Sequence, residues 1–341
     1  MPTPEPLKDA DQISDIAFGF MGSKALFVAL DLGVFSTLQG GAKTAEEIGQ
    51  AAGVHGDRAA TLLTALAGLG LVTVEEGRFS NSPAAEAFLV KGAKYDFGDY
   101  LRLQVGKQMY RLLDQLGPAL TGELPPGATD SYETWFSDAE EARLYSESQH
   151  AGSSGPARQL AKKVDLADAR HVLDVGGGTG AFAIGLCKAY PELKVTILDF
   201  PNVATLGRSY VEEAGLSDRI TYAEGNAIEA DWPDGVDAVL MSYLFSGVPG
   251  DAQPGLLEKA MHVLRPGGCV MIHDFIVSDS RDGPRLAALW QLQHTAFTPE
   301  ARSNDTTSLA ALLAEAGFAD TEIDTMIPEM TMLATARKPE R

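Results

Sequence analysis

Apolar residues recur at roughly helical spacing over residues 13–38, at Ile16, Phe20, Leu26, Leu30 and Phe35, with glycines at 19, 22 and 33 between them. This predicts helices that bury one broad face and break at those glycines. Thr44-Ala45-Glu46-Glu47 has the form of a helix start capped by Thr44. A second helix follows Gly56-Asp57 and ends near Gly68-Leu69-Gly70, after which LVTVEEGRFSNSP alternates like two short strands around Glu76-Gly77. Residues 1–94 therefore read as a winged helix-turn-helix. Residues 95–166 are richer in aromatic and polar positions and predict linking helices, interrupted by a loop over 117–130. From 167 to 341 the pattern changes again, with HVLDV, KVTILDF, ITYAEG, DAVLMSYL and CVMIHDF as apolar runs between helical segments. Such alternation predicts an α/β domain, a parallel sheet with helices on both faces, and a last hairpin strand over 331–336.

Composition narrows the function classes. With 341 residues, 45% of them hydrophobic, the chain can bury more than one core. Lys and Arg number 27 against 47 Asp and Glu, a formal charge of −20, which repels phosphate backbones and anionic membranes. The helix that would read DNA, over 57–69, carries Arg58 as its only basic residue, so no nucleic-acid partner is expected. Packing of this apolar region on a second copy of the chain, a homodimer, explains it better. Cys187 and Cys269 cannot form a disulfide framework. The N-terminus MPTPEPLKDADQ lacks a signal-peptide pattern, and no window reads as a membrane span. A soluble cytoplasmic protein without a membrane partner is the expectation.

The segment 171–180, HVLDVGGGTG, runs from an apolar strand through a glycine-rich turn into a helix starting near Ala181. Read loosely, Gly176, Gly178 and Ala181 satisfy a dinucleotide fingerprint, a weak match alone. Asp174 tips the reading, because a carboxylate there crowds a pyrophosphate but suits the ammonium of a methionine moiety. Asp199 ends the next strand, where an acid can bind both ribose hydroxyls. The LRPGG turn at 264–268 points the same way. The cofactor expected is S-adenosylmethionine, leaving as S-adenosylhomocysteine.

From about Asp11 to its end the sequence resembles the two-domain O-methyltransferases typified by caffeate and acetylserotonin methyltransferases. LDVGGGTG, LDFPNV, AEGNAIEADWP, LRPGG and LLAEAGF carry the likeness. It implies a Rossmann-like class I methyltransferase domain behind a mainly α winged-helix dimerisation domain. It also implies a cofactor set of Asp174, Gly176, Gly178, Asp199, Phe200, Asn226, Ala227, Met241 and Ser242, with Asn226 where the family often has Asp.

Plant-type members carry a Leu-His-Asp-Trp segment whose His takes the acceptor's proton. Aligned with it, DAVLMSYLFSGVPGD places Ser246 at the histidine and Gly247 at the aspartate. The usual base is absent, and serine has no useful basicity near neutral pH. The loss also removes a histidine-acid metal pair, so no metal is expected and His294 is a lone possible ligand. Candidate catalytic groups are Tyr145, Gln149 and His150, at helical offsets of four and five, with Tyr243 and His294. Candidate substrate contacts are Arg143, Gln293 and Arg302, where a guanidinium would suit a carboxylate, together with Gln104, Met109 and Tyr110 as a roof from the N-terminal side.

A thioether acceptor needs no base, because its sulfur lone pair attacks directly and gives a sulfonium. SESQHAGSSGPAR, MSYLFSGVP and ALWQLQHTAFTPEARS look similar to bacterial S-methyltransferases acting on 4-methylthio-2-hydroxybutyrate on the route to dimethylsulfoniopropionate. The alternatives are O-methylation of a small phenolic or hydroxylated metabolite with His150 or Tyr145 as base, C-methylation beside a keto group, and a DNA-binding regulator of another class.

Overall fold

Two units make up the chain, Glu5–Tyr110 and Arg111–Arg341, in a computed structural model that describes residues 5–124, 132–298 and 300–340. In the first unit a single 22-residue helix, α1 (Ala10–Asp31), starts at Asp9, whose side chain accepts the Gln12 amide. It runs through Gly19 and Gly22 instead of breaking there. A glycine inside a helix costs only about 1 kcal/mol, and the missing side chain of Gly22 makes room for Leu69, 3.1 Å from where a Cβ would stand. The break comes at Gly33, at φ 66°, a left-handed conformation that glycine adopts without strain. Ile13, Ile16, Phe18, Phe20 and Met21 on α1 are exposed. With a mean hydropathy of 1.5, α1 is long and apolar enough to cross a membrane by length and composition, which corrects the expectation that no window would reach that length.

Thr44 caps α2 (Ala45–Ala52) through a reciprocal box: the Glu47 amide donates to Thr44 Oγ1 at 3.2 Å, and the Thr44 amide donates to the Glu47 carboxylate at 2.7 Å. Helix α3 (Gly56–Gly68) and the antiparallel strands β1 (Val72–Glu75) and β2 (Arg78–Asn81) complete the winged pattern. Phe35, Leu38, Ile48, Leu63 and Leu66 form its core. Tyr100–Met109 is a π-helix where an ordinary helix was expected. Phe27 crowds Gly106 there, 2.9 Å from a Cβ position.

The second unit begins its functional part with α4 (Tyr132–Ser137) and α5 (Ala139–Lys163), the latter capped by Asp138. Of the loop expected over 117–130, residues 117–121 belong to the helix Leu116–Thr121, and the part from 125 lies outside the described residues. Then β3 (His171–Val175), α6 (Ala181–Ala189), β4 (Lys194–Asp199), α7 (Pro201–Glu213), β5 (Ile220–Glu224) and β6 (Val236–Ser242) alternate as the apolar runs foretold. Helix α8 (Gln253–Val263), β7 (Leu264–Asp274), α9 (Arg285–Phe297), α10 (Thr306–Glu315), β8 (Ala319–Ile327) and β9 (Thr331–Arg337) follow. The seven strands order as β5-β4-β3-β6-β7-β9-β8, parallel except where β9 pairs antiparallel with β7 and β8. Leu173, Val175, Val239, Met241 and Ile272 pack in one core and Val172, Ile197, Ala238, Leu240 and Met271 in another, so both faces are covered. Strand order reverses between β3 and β6, which opens a crevice at their carboxyl ends where such sheets hold ligands.

Candidate active site

The glycine turn leaves β3 at Gly176, at φ 68°, and passes Gly178, at φ 59°, before Gly180 starts α6. A Cβ on Gly177 would stand 2.6 Å from the Asp174 carboxyl. The backbone therefore lies against that acid as only glycine allows. Asp174 has no solvent exposure and neither of its oxygens has a hydrogen-bond partner. Burial, then the nearby Asp199 charge, pushes it up to about 7, while the Ala183 amide lowers it slightly without reaching hydrogen-bond geometry. Two unpartnered oxygens in a closed interior call for a cationic or donor-rich ligand. Asp199 is held by the Gly178 amide at 2.7 Å and the Phe200 amide at 2.8 Å, and burial pushes it up to about 6 against those two bonds. One oxygen is fixed by each amide, so both keep lone pairs for a pair of hydroxyls. The donor set thus fits the ammonium and ribose ends of S-adenosylmethionine.

A cavity of about 440 Å³ opens here, lined by Gly176, Gly178, Asp199, Phe200, Asn226, Ala227 and Ser242 of the expected cofactor set. Asp174 sits behind the turn. Met241 is not in the lining; it is fully buried in the core beside β3 and β7, because its neighbour Ser242 takes the cavity side of the strand. Asn226 is engaged at both ends: its amide donates to Glu133 at 3.0 Å and its oxygen accepts the Ile228 amide at 3.0 Å. Pairing with an adenine edge would compete with Glu133. Ser242 is held by His273 at 2.9 Å, which also contacts Thr331 at 2.8 Å. Burial pushes His273 down to about 3, so this histidine is a neutral strut beneath the cavity.

Of the candidate catalytic groups, Tyr145, Gln149 and Tyr243 line the cavity, and the Gln149 amide donates to the Tyr145 hydroxyl at 3.0 Å. His150 does not line it. Its Nδ1 meets Thr179 Oγ1 at 2.7 Å and its ring lies 4.1 Å from the Tyr210 ring. An offset of five turns a helical side chain about 140° away from the first residue, which carries His150 off the Tyr145 face. Burial pushes it down to about 4. His294 is also outside the lining, buried beside Phe275, with Nδ1 unpartnered and its pKa pushed down by burial to about 4. Tyr243 has φ 58°, strained for so bulky a side chain, and packs against Phe182, His273 and Phe275. Burial, then the Asp274 charge, raises its phenol.

The expected substrate contacts fare differently. Arg143 is exposed and paired with Glu140 at 2.6 Å and Glu147 at 2.8 Å, the ordinary fate of a charge on a helix surface. Arg302 is exposed and makes no ion pair with a described residue. Gln293 is buried outside the lining. Gln104 and Met109 are buried and Tyr110 rests edge-on against Phe27 at 5.9 Å; all three belong to the first unit.

Sequence reasoning passed over Tyr132, Phe136 and Phe297, which line the cavity with Tyr145. Their rings interlock, Tyr132 to Phe297 at 4.8 Å and Phe136 to Tyr145 at 5.0 Å. The aromatic richness of 95–166 was the available signal. Ser246 turns away from the cavity to buried Asp274, its hydroxyl donating at 2.5 Å and its amide at 2.9 Å. Among the described residues no histidine, lysine or arginine lines the cavity, and no group of three or more metal-binding side chains occurs.

The O-methyltransferase domain family model matches residues 125–319, and the O-methyltransferase dimerisation domain matches residues 14–91. The chain is 31% identical to a 3-hydroxy-5-methyl-1-naphthoate 3-O-methyltransferase of Streptomyces sahachiroi, covering 85% of this chain and 84% of that one. It is 30% identical to the N,N-dimethyltransferase OxyT of Streptomyces rimosus, covering 92% of each. Human N-acetylserotonin methyltransferase, solved in complex with S-adenosylmethionine, shares the fold at a TM-score of 0.87 and 23% identity, covering 98% of this chain and 100% of that chain.

Proposed function

Since the chain belongs to the class I S-adenosylmethionine-dependent O-methyltransferase family, we propose that it methylates the sulfur of a small thioether acid, 4-methylthio-2-hydroxybutyrate, in dimethylsulfoniopropionate synthesis. The observation that carries this reading is the cavity lining. It offers phenols, the amides of Gln149 and Asn226 and aromatic faces, with Glu133, Asp199 and Glu300 as its charged groups, and no histidine or lysine among the described lining residues to serve as the base. A thioether sulfur needs no such group.

S-Adenosylmethionine supplies an electrophilic methyl on a sulfonium. The chain's own residues bind, orient and exclude water: Asp174 and Asp199 hold the cofactor's ammonium and ribose, and Phe136, Tyr145 and Phe297 desolvate the acceptor. Orientation and desolvation are the main sources of rate where no proton moves. Carboxylates and aromatic faces suit a product that keeps the positive charge. The acceptor's polar end is assigned to the Gln149 amide and the Thr298 hydroxyl, a buried group without a hydrogen-bond partner.

O-Methylation of a small phenol is the second reading, favoured by the name of the naphthoate relative and by the Tyr145 hydroxyl in the cavity. Incubation with methyl-labelled cofactor and a panel of thioether, phenol and keto acids decides between them. A labelled methyl on sulfur supports the proposal; label on oxygen or carbon alone overturns it. We also propose a homodimer through the first unit, whose dimerisation match covers most of α1. Light scattering without detergent should return twice the 36.2 kDa chain mass, and a monomer or a detergent requirement would refute it.

A further inference from the structure

The described cavity lining contains three carboxylates and no basic side chain. Tyr132, Phe136, Tyr145, Tyr243 and Phe297 line it as well. Tyr132 stands among three of the other rings, 4.8 Å from Phe297, 5.6 Å from Phe136 and 6.1 Å from Tyr145 by ring centroid. The rings meet at 63–69°, so they form a wall with faces in several directions. Aromatic faces carry negative quadrupoles, and several converging on a desolvated space attract a cation that keeps a methyl-covered surface. An ammonium such as lysine's is too strongly hydrated for this environment, whereas sulfonium and quaternary ammonium groups carry charge without N–H donors that would go unsatisfied here. Nearby carboxylates add to the attraction.

We infer that the part of the cavity beside the cofactor is a recognition site for small onium cations, sulfonium or quaternary ammonium, which bind together with S-adenosylhomocysteine and inhibit turnover. This rests on the proposed S-methylation only for the identity of the natural cation; the wall and its charge are independent of it. A second consequence is selectivity for the state of the cofactor. S-Adenosylmethionine has a positive sulfur and S-adenosylhomocysteine a neutral one, so an onium ion beside the first meets a like charge at short range. The onium site should therefore be strong in the product complex and weak in the substrate complex.

Calorimetric titration of the full-length protein tests this with choline and its neutral isostere 3,3-dimethylbutan-1-ol, which share shape and differ in charge. In protein saturated with S-adenosylhomocysteine, choline should bind at least tenfold tighter than the isostere, and at least tenfold tighter than it does in protein saturated with S-adenosylmethionine. Tyr145→Leu removes a ring face and should lose most of the preference. Tyr145→Phe keeps the face, loses the hydroxyl bond to Gln149, and should keep the preference. Equal binding of choline and isostere in the unaltered protein, displacement of S-adenosylhomocysteine by choline, or an undiminished preference in Tyr145→Leu each overturns the inference. Failure here leaves the thioether reading to its own labelled-methyl test, and a methyl on oxygen would leave this result standing.

Discussion

Cofactor affinity should fall steeply as pH drops, because Asp174 and Asp199, the two acids we propose hold the cofactor, stand high in the free protein. Asp174 is pushed up to about 7 and Asp199 to about 6, in each case mainly by burial. The cationic cofactor binds the ionised pair, so their protons must leave on binding. With those values about 90% of the free protein has both groups ionised at pH 8, but under about 1% at pH 5.5. The apparent dissociation constant should thus rise roughly 100-fold between the two, equivalent to about 2.7 kcal/mol. About one proton should be released per cofactor at pH 6.5, measurable by calorimetry in two buffers of different ionisation enthalpy. The two acids titrate as a pair, so the slope belongs to the pair.

Asp174→Asn separates the contributions. It should weaken binding at pH 8 and leave only a roughly fourfold pH dependence from Asp199. The stability effect has the opposite sign. A carboxyl whose folded pKa is raised above its unfolded value costs the fold stability once pH exceeds the unfolded value, and the full cost is present above about 7. Asp174→Asn should therefore raise the Tm of the cofactor-free protein at pH 8, by an amount equivalent to about 2–4 kcal/mol. Affinity unchanged from pH 8 to 5.5, with no proton released, would refute the electrostatic account of the site.

Gly177→Ala forces a Cβ to within 2.6 Å of the Asp174 carboxyl and should abolish measurable cofactor binding, whereas Gly215→Ala, at a turn with open space around it, should only lower Tm. Ser246→Ala removes the hydroxyl bond to buried Asp274 and should cost about 1–3 kcal/mol of stability while kcat keeps its pH profile. That profile should lack a unit-slope limb near 6.5, the ordinary histidine value, and His150→Gln should leave its shape unchanged. A limb that disappears in His150→Gln would promote O-methylation with that histidine as base.

The elements that repeat locally were legible in the chain. The five parallel strand runs, the capped helix at Thr44, the wing and the glycine turn depend on neighbours within a few residues, where period and turn chemistry act directly. The places of Asp174 and Asp199 beside the glycine turn were legible because a strand end and its turn fix them almost without outside help. Tertiary structure decided everything that joins distant segments. His150 and Tyr145 are close in sequence, yet only contact with Thr179 and Tyr210 shows which of them faces the cavity. Ser246 could be seen to lack basicity, but not that it spends both its donors on Asp274, 28 residues away. The wall of Tyr132, Phe136, Tyr145 and Phe297 draws on α4, α5 and α9, and nothing in the local period of any one helix marks its rings as neighbours. A side chain's place along its own element follows from local backbone geometry, whereas what it meets depends on how the sheet and its helices close around the crevice.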